Sequence, residues 1–141
     1  MDMSALFMRE RATVSGASRE RGALALEIAI IMPALLLLLT LGWQMAYVAH
    51  AQNVAEAAAQ EGAALSRTVG GTGEGGEQRA RARLTEYGGE MFTSYTATGS
   101  KSPEVASVTV EGNVKSIVPF LDFHVSETST GPVERFVDEG E

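Results

Sequence analysis

The sequence predicts an α+β fold: a long N-terminal helix that begins as a membrane span and continues beyond it, then a short helix and a small antiparallel sheet. Three observations carry this. From Ile28 to Val48 the chain is apolar apart from Thr40 and Gln44, about the twenty residues that a helix needs to cross a hydrocarbon core. Eight of the sixteen residues from Ala49 to Ala64 are alanine, the strongest helix former, so the helix should run on past the bilayer. From Val105 onward the apolar period falls to two, the mark of half-buried strands.

Residues 1–22 are polar and carry Arg9, Arg11, Arg19 and Arg21 against three acids, whereas residues 49–141 carry seven basic and fourteen acidic groups. A basic flank before the apolar run predicts a single-pass membrane protein, N-terminus inside and C-terminus outside. The acidic exterior argues against nucleic-acid binding, which needs a basic face. With 141 residues, one small domain fits outside the bilayer, and the absence of cysteine excludes a disulfide framework.

Taken in order, residues 1–22 read as a cytoplasmic leader, with Ser15, Gly16 and Ser18 loosening any helix. Residues 23–48 form the span and 49–68 its outward continuation, one helix of about 60 Å from Ala23 to Ser66 at ~1.5 Å per residue. Tyr47, Ala51, Val54, Ala58 and Leu65 recur at helical spacing and leave a narrow seam of small apolar residues. Such a seam suits close packing against a partner helix or the chain's own globular part. Glycines crowd residues 69–76, which read as a flexible linker. Within the exterior domain, residues 77–141, Ala80, Leu84, Tyr87 and Met91 mark a short amphipathic helix, interrupted by Gly88 and Gly89. Ala106, Val108 and Val110 alternate with polar residues, as do Leu121, Phe123 and Val125. Gly112-Asn113 reads as a turn, and Val114 to Val118 as the middle of about three strands.

The candidate functional residues cluster at the membrane helix. Glu27 is the lone charge between Ala23 and Ala55. An acid in a first helical turn gains a few tenths of a kcal/mol from the helix dipole, but a carboxylate isolated in apolar sequence calls for a positive partner. A cut between Gly22 and Ala23 would create one, the new amine of Ala23. Pro33 removes the hydrogen bond to the carbonyl of Ala29 and reads equally as a passive kink or a hinge. Trp43 and Tyr47 lie about 30 Å from Ala23 and read as anchors at the outer interface. The glycines at 71, 73 and 76 formally spell G-x-G-x-x-G but follow a helix and lack a phosphate-loop lysine. His50 and His124 belong to no metal-ligand cluster, and Asp122 beside His124 lacks a nucleophile elbow. No enzyme constellation and no cofactor or metal site is expected.

Arg21-Gly22, Ala23 to Leu26, Glu27, then Ile-Ala-Ile-Ile-Met-Pro and a leucine run resemble the TadE-like family of pilus-assembly proteins, pseudopilins of tight-adherence secretion systems. The exit through Trp43 and Tyr47 and the stretch Gln52 to Ala64 match as well. Val-Thr-Val-Glu-Gly at 108–112 and Gly-Pro-Val-Glu-Arg-Phe at 131–136 extend the likeness more loosely. Ile28 stands where the family commonly has phenylalanine, and the leader is longer than the motif requires.

The resemblance implies a pilin-like fold and a prepilin peptidase that cuts after Gly22, leaving Glu27 at position five to pair with an N-terminal amine during assembly. It also implies other pilin-like subunits and an assembly platform as partners. The expectation is a non-enzymatic pseudopilin or minor pilin-like component, packing through its N-terminal helix and its seam. The rivals are an uncleaved, membrane-anchored binding domain and a secreted domain released before Gln52, where Ala49-His50-Ala51 fits the A-x-A signal.

Overall fold

The computed structural model describes the backbone of residues 3–135 and the side chains of residues 21–135. Its elements are α1 (Met3–Arg67), α2 (Gly73–Arg83), a π-helical turn (Leu84–Gly88), β1 (Phe92–Lys101), β2 (Val105–Val114) and β3 (Phe123–Pro132). The strands form one antiparallel sheet in the order β1-β2-β3. This is the α+β arrangement predicted from the sequence. The backbone is already helical from Met3, so Ser15, Gly16 and Ser18 do not break it. The tail predicted to complete the exterior domain beyond residue 135, including Phe136, lies outside the described residues.

The chain divides into two compact units, one ending at Leu41 and the other beginning at Gly42. In the first, every side chain from Arg21 to Leu39 is exposed. Leu24, Leu26, Ile28, Ile30 and the run Leu35–Leu39 make a far larger apolar surface than water tolerates on a folded protein. The helix is long and apolar enough to cross a membrane. Thr40, one of the two polar interruptions, donates its hydroxyl to the carbonyl of Leu36 at 2.8 Å, so it takes no unsatisfied group into the span.

The second unit is built on the remainder of α1. Gln44, Val48, Ala51, Ala55, Ala58, Gly62 and Ser66 recur every three or four residues and are all buried, flanked by Ala59 and Ala63. That stripe packs against Ala80, Leu84, Phe92, Ala97, Val108, Val110, Val114 and Val125. Small residues let sheet and helix approach closely, and the lengths match. Helix residues 44–67 cover about 35 Å and the ten-residue β2 about 34 Å. β2 runs back along the helix. At one end Lys101 donates to the carbonyls of Thr68 and Gly71 at 3.0 and 2.7 Å, placing a cation at the C-terminus of α1. At the other, the residues after β2 meet Gln44.

Several expectations are corrected here. Gly112-Asn113 is not a turn: Gly112 pairs with Tyr95 and Val125 inside β2, the central strand. The ring of Phe92 fills the space a side chain there would need, 2.7 Å from an added Cβ. The hairpin turn lies instead at Ser102-Pro103-Glu104, where the Ser102 hydroxyl accepts from Val105 N–H at 3.0 Å. Val114 ends β2, so residues 115–118 form no strand and Leu121 lies in the connection, exposed. The third strand is β1, which the sequence reading missed. Its inward residues after a bulge, Tyr95, Ala97 and Gly99, carry too little apolar contrast to show a period.

The glycine-rich stretch is also misread as a flexible linker. Gly70, with φ +82°, closes α1. Thr72 then caps α2 by accepting from Gly75 N–H at 2.9 Å. Gly73 and Gly76 lie one turn apart at two close crossings: Gly73 against Gly99 of β1, Gly76 against Gly62 and Ser66 of α1. Further along, Ala80 and Leu84 face the core as expected, but Tyr87 does not. The π-turn inserts a residue, so Gly88 takes the buried place and Tyr87 turns outward beneath the Arg83 guanidinium, 3.7 Å from its ring centre.

Candidate functional site

Gly22, Ala23 and Glu27 sit on regular helix with their side-chain positions open to the surroundings. Ala23 and Glu27 are four residues apart, hence neighbours on one face. No residue of the chain is paired with Glu27 among the described salt bridges, which link Glu61 with Arg79 and Arg83, and Glu77 with Arg81. Pro33 lies inside α1 without ending it.

At the outer end of the apolar run the two aromatic anchors part company. Trp43 is 69% exposed, whereas Tyr47 is half-buried and packs against the domain core, so only Trp43 is free to face an interface. Between them Gln44 is fully buried. Its Oε1 accepts from the Ile117 N–H at 2.8 Å, and its Nε2 reaches the Lys115 carbonyl at 3.4 Å. Both ends of a lone amide in apolar sequence thus find backbone partners in the β2–β3 connection. The sequence reading treated Gln44 only as an interruption. The available signal was the same as for Glu27, since a polar group in such a segment has to have a partner.

The residues of the predicted seam divide by burial. Ala51 and Ala58 are fully buried and Val54 partly so, but Leu65 is 44% exposed. The true stripe runs through Ala55 and Gly62 because the sheet and α2 of the same chain cover it. The seam is therefore occupied within the chain.

Elsewhere the polar groups build surface. Arg79 Nη2 stands 2.9 Å from Glu61 Oε2, off the line of an aligned hydrogen bond, and Arg83 Nε 3.1 Å from Oε1. These half-exposed pairs contribute on the order of 1 kcal/mol or less. His124 Nδ1 lies 3.1 Å from Asn113 Oδ1 on the outer sheet face, and Asn113 Nδ2 donates to Ser94. Asp122 and His124 are both exposed. Among the described residues no group of three or more metal-ligating side chains gathers.

Residues 22–64 match the model of the family described as TadE-like protein. No curated protein and no solved structure matches the chain. The matched segment opens at Gly22, takes in Glu27 and the apolar span, and closes after Ala63 of the buried stripe, leaving α2 and the sheet outside it. From the glycine before Ala23 to the alanines beneath the sheet, this segment is similar to the TadE-like family.

Proposed function

We propose that this protein is a pseudopilin or minor pilin-like component of a tight-adherence pilus assembly or secretion system. It is held in the cytoplasmic membrane by the first half of α1, with its α+β unit outside, and carries out no catalysis. A prepilin peptidase removes the leader after Gly22, and the amine of Ala23 then pairs with Glu27 of the same or a neighbouring subunit. One observation carries the reading: Glu27 is the only charge from Ala23 to Ala55, on the stretch of α1 whose side chains are exposed, five residues past the glycine that opens the TadE-like match. Because the sheet covers the alanine stripe of α1, contact with other pilin-like subunits and the assembly platform falls to residues 23–41.

The secreted alternative fares poorly on packing, since a cut before Gln52 would remove Gln44, Val48 and Ala51 from the core. The uncleaved anchored domain is the rival to test. The test is the mature N-terminus, read by mass spectrometry on membranes from cells with and without prepilin peptidase. A start at Ala23 that depends on the peptidase is expected. A chain retaining its leader in both strains would overturn the pseudopilin reading in favour of a plain anchored domain.

A further inference from the structure

The β2–β3 connection, residues 115–122, exposes three large apolar side chains within eight residues. Ile117 is 56% exposed, Leu121 42% and Phe120 103%, so the Phe120 ring is fully open to the surroundings among the described residues. Phe120 also has φ +69°, the only non-glycine residue with positive φ among those described. Bulky side chains avoid that region, and holding one there costs on the order of 1–3 kcal/mol. An aromatic ring held in water by a strained backbone gains nothing for the isolated fold.

Gln44 fixes where this loop lies along the helix. Its two hydrogen bonds tie Lys115 and Ile117 to the position directly after Trp43. Counting about 30 Å of hydrocarbon from Ala23 brings the outer boundary to Trp43. The loop's apolar tip is thus tethered at the depth where an exposed tryptophan leaves the bilayer, the level that aromatic side chains favour. Lys115, at the foot of the loop, is exposed and suits lipid phosphate.

The geometry points to a second membrane contact: Ile117, Phe120 and Leu121 enter the headgroup–acyl boundary beside Trp43 and hold the base of the exterior unit against the lipid surface. This rests on the reading of α1 as a membrane anchor. The occupant is lipid because the tether ends at the exit of the span, where lipid is the surrounding medium.

Single-tryptophan variants of the full chain test it, made on Trp43→Phe and placed in phosphatidylcholine–phosphatidylglycerol nanodiscs with acyl chains brominated near the glycerol end. Phe120→Trp reports the loop, Leu37→Trp the span, and Thr128→Trp the exposed outer face of β3. The replaced side chains are all exposed, so none threatens folding. Lipid bromine should quench Phe120→Trp about twofold or more beyond Thr128→Trp, as for an apolar side chain seated at the boundary. If Leu37→Trp is quenched but Phe120→Trp responds to aqueous iodide instead, the loop is in water and the inference fails while the anchor stands. Shielding of Phe120→Trp from both quenchers would mean a protein partner, also overturning it. An unquenched Leu37→Trp would overturn the anchor reading itself.

Discussion

The crossing of α1 and α2 at Gly62 and Gly76 makes a sharp quantitative prediction. A Cβ added at Gly62 would lie 2.6 Å from the Gly76 carbonyl oxygen and 3.2 Å from both Ala80 Cβ and Val108 Cγ1. One added at Gly76 would lie 2.5 Å from the Gly62 carbonyl oxygen and collide with the Ser66 hydroxyl. At each position one of the clashes is with a backbone carbonyl, so a whole helix has to move. Overpacking of this kind costs roughly 1–3 kcal/mol, and a backbone partner argues for the upper end. Alanine returns about 1 kcal/mol of helix propensity, leaving a net loss of about 1–2 kcal/mol for Gly62→Ala or Gly76→Ala. The clashes share one crossing, so separating the helices for one relieves the other. The double variant should fall short of the summed losses by roughly 0.5 kcal/mol or more. Gly75→Ala is the control: its Cβ would meet only Thr72 Oγ1, at 3.2 Å, and a gain of up to ~1 kcal/mol is expected. The assay is urea unfolding of the second unit in nanodisc-embedded full-length protein, followed by circular dichroism. A Gly62→Ala variant stabilised as much as Gly75→Ala would refute the close crossing and return the glycines to the role of linker.

Glu27→Gln should abolish assembly into pilus-like complexes while membrane insertion stays equal or improves; assembly at the wild-type level, measured by shear release and immunoblot, would remove Glu27 from the proposal. Gln44→Leu leaves the Ile117 N–H without its partner and should cost about 1–3 kcal/mol, with hydrogen exchange at Ile117 and its neighbours rising ahead of that in β2. Glu61→Gln weakens the pairs with Arg79 and Arg83 together. Its cost should stay within ~1 kcal/mol and shrink as salt is added, so a larger, salt-independent loss in the same urea assay would mean that Glu61 has a packing role beyond charge.

What the sequence made legible follows from which residues announce their surroundings. The apolar run from Ile28 declares itself because charge is absent over a length sufficient to cross a membrane. Ala106, Val108 and Val110, with Phe123 and Val125, declare two strands because one face is apolar and the other is not. Glycine announces nothing of the kind. In Gly73 and Gly76 the missing side chain serves close packing, in Gly112 it makes room for Phe92, and in Gly70 it serves a left-handed turn. All four look alike until their neighbours are known. β1 stayed hidden because Ala97 and Gly99 face α2 with almost no side chain, and the bulge between Phe92 and Ser94 upsets the alternation. At the candidate site, Gly22 and Glu27 stand out in the sequence because their pattern is local. The tether from Gln44 was not, because its partners lie more than seventy residues away.

The buried stripe from Gln44 to Ser66 also sets an order of events during synthesis. These residues emerge first and wait, as a helix that alanine holds together without help, until β3 is delivered some 65 residues later. At ordinary translation speeds that interval lasts roughly 3–13 seconds. Over that time the helix, anchored where it leaves the membrane, is a template kept in one place for strands not yet made. A version of the second unit meant to fold on its own therefore has to begin before Gln44, since starting at the alanines would leave the template without its first turn.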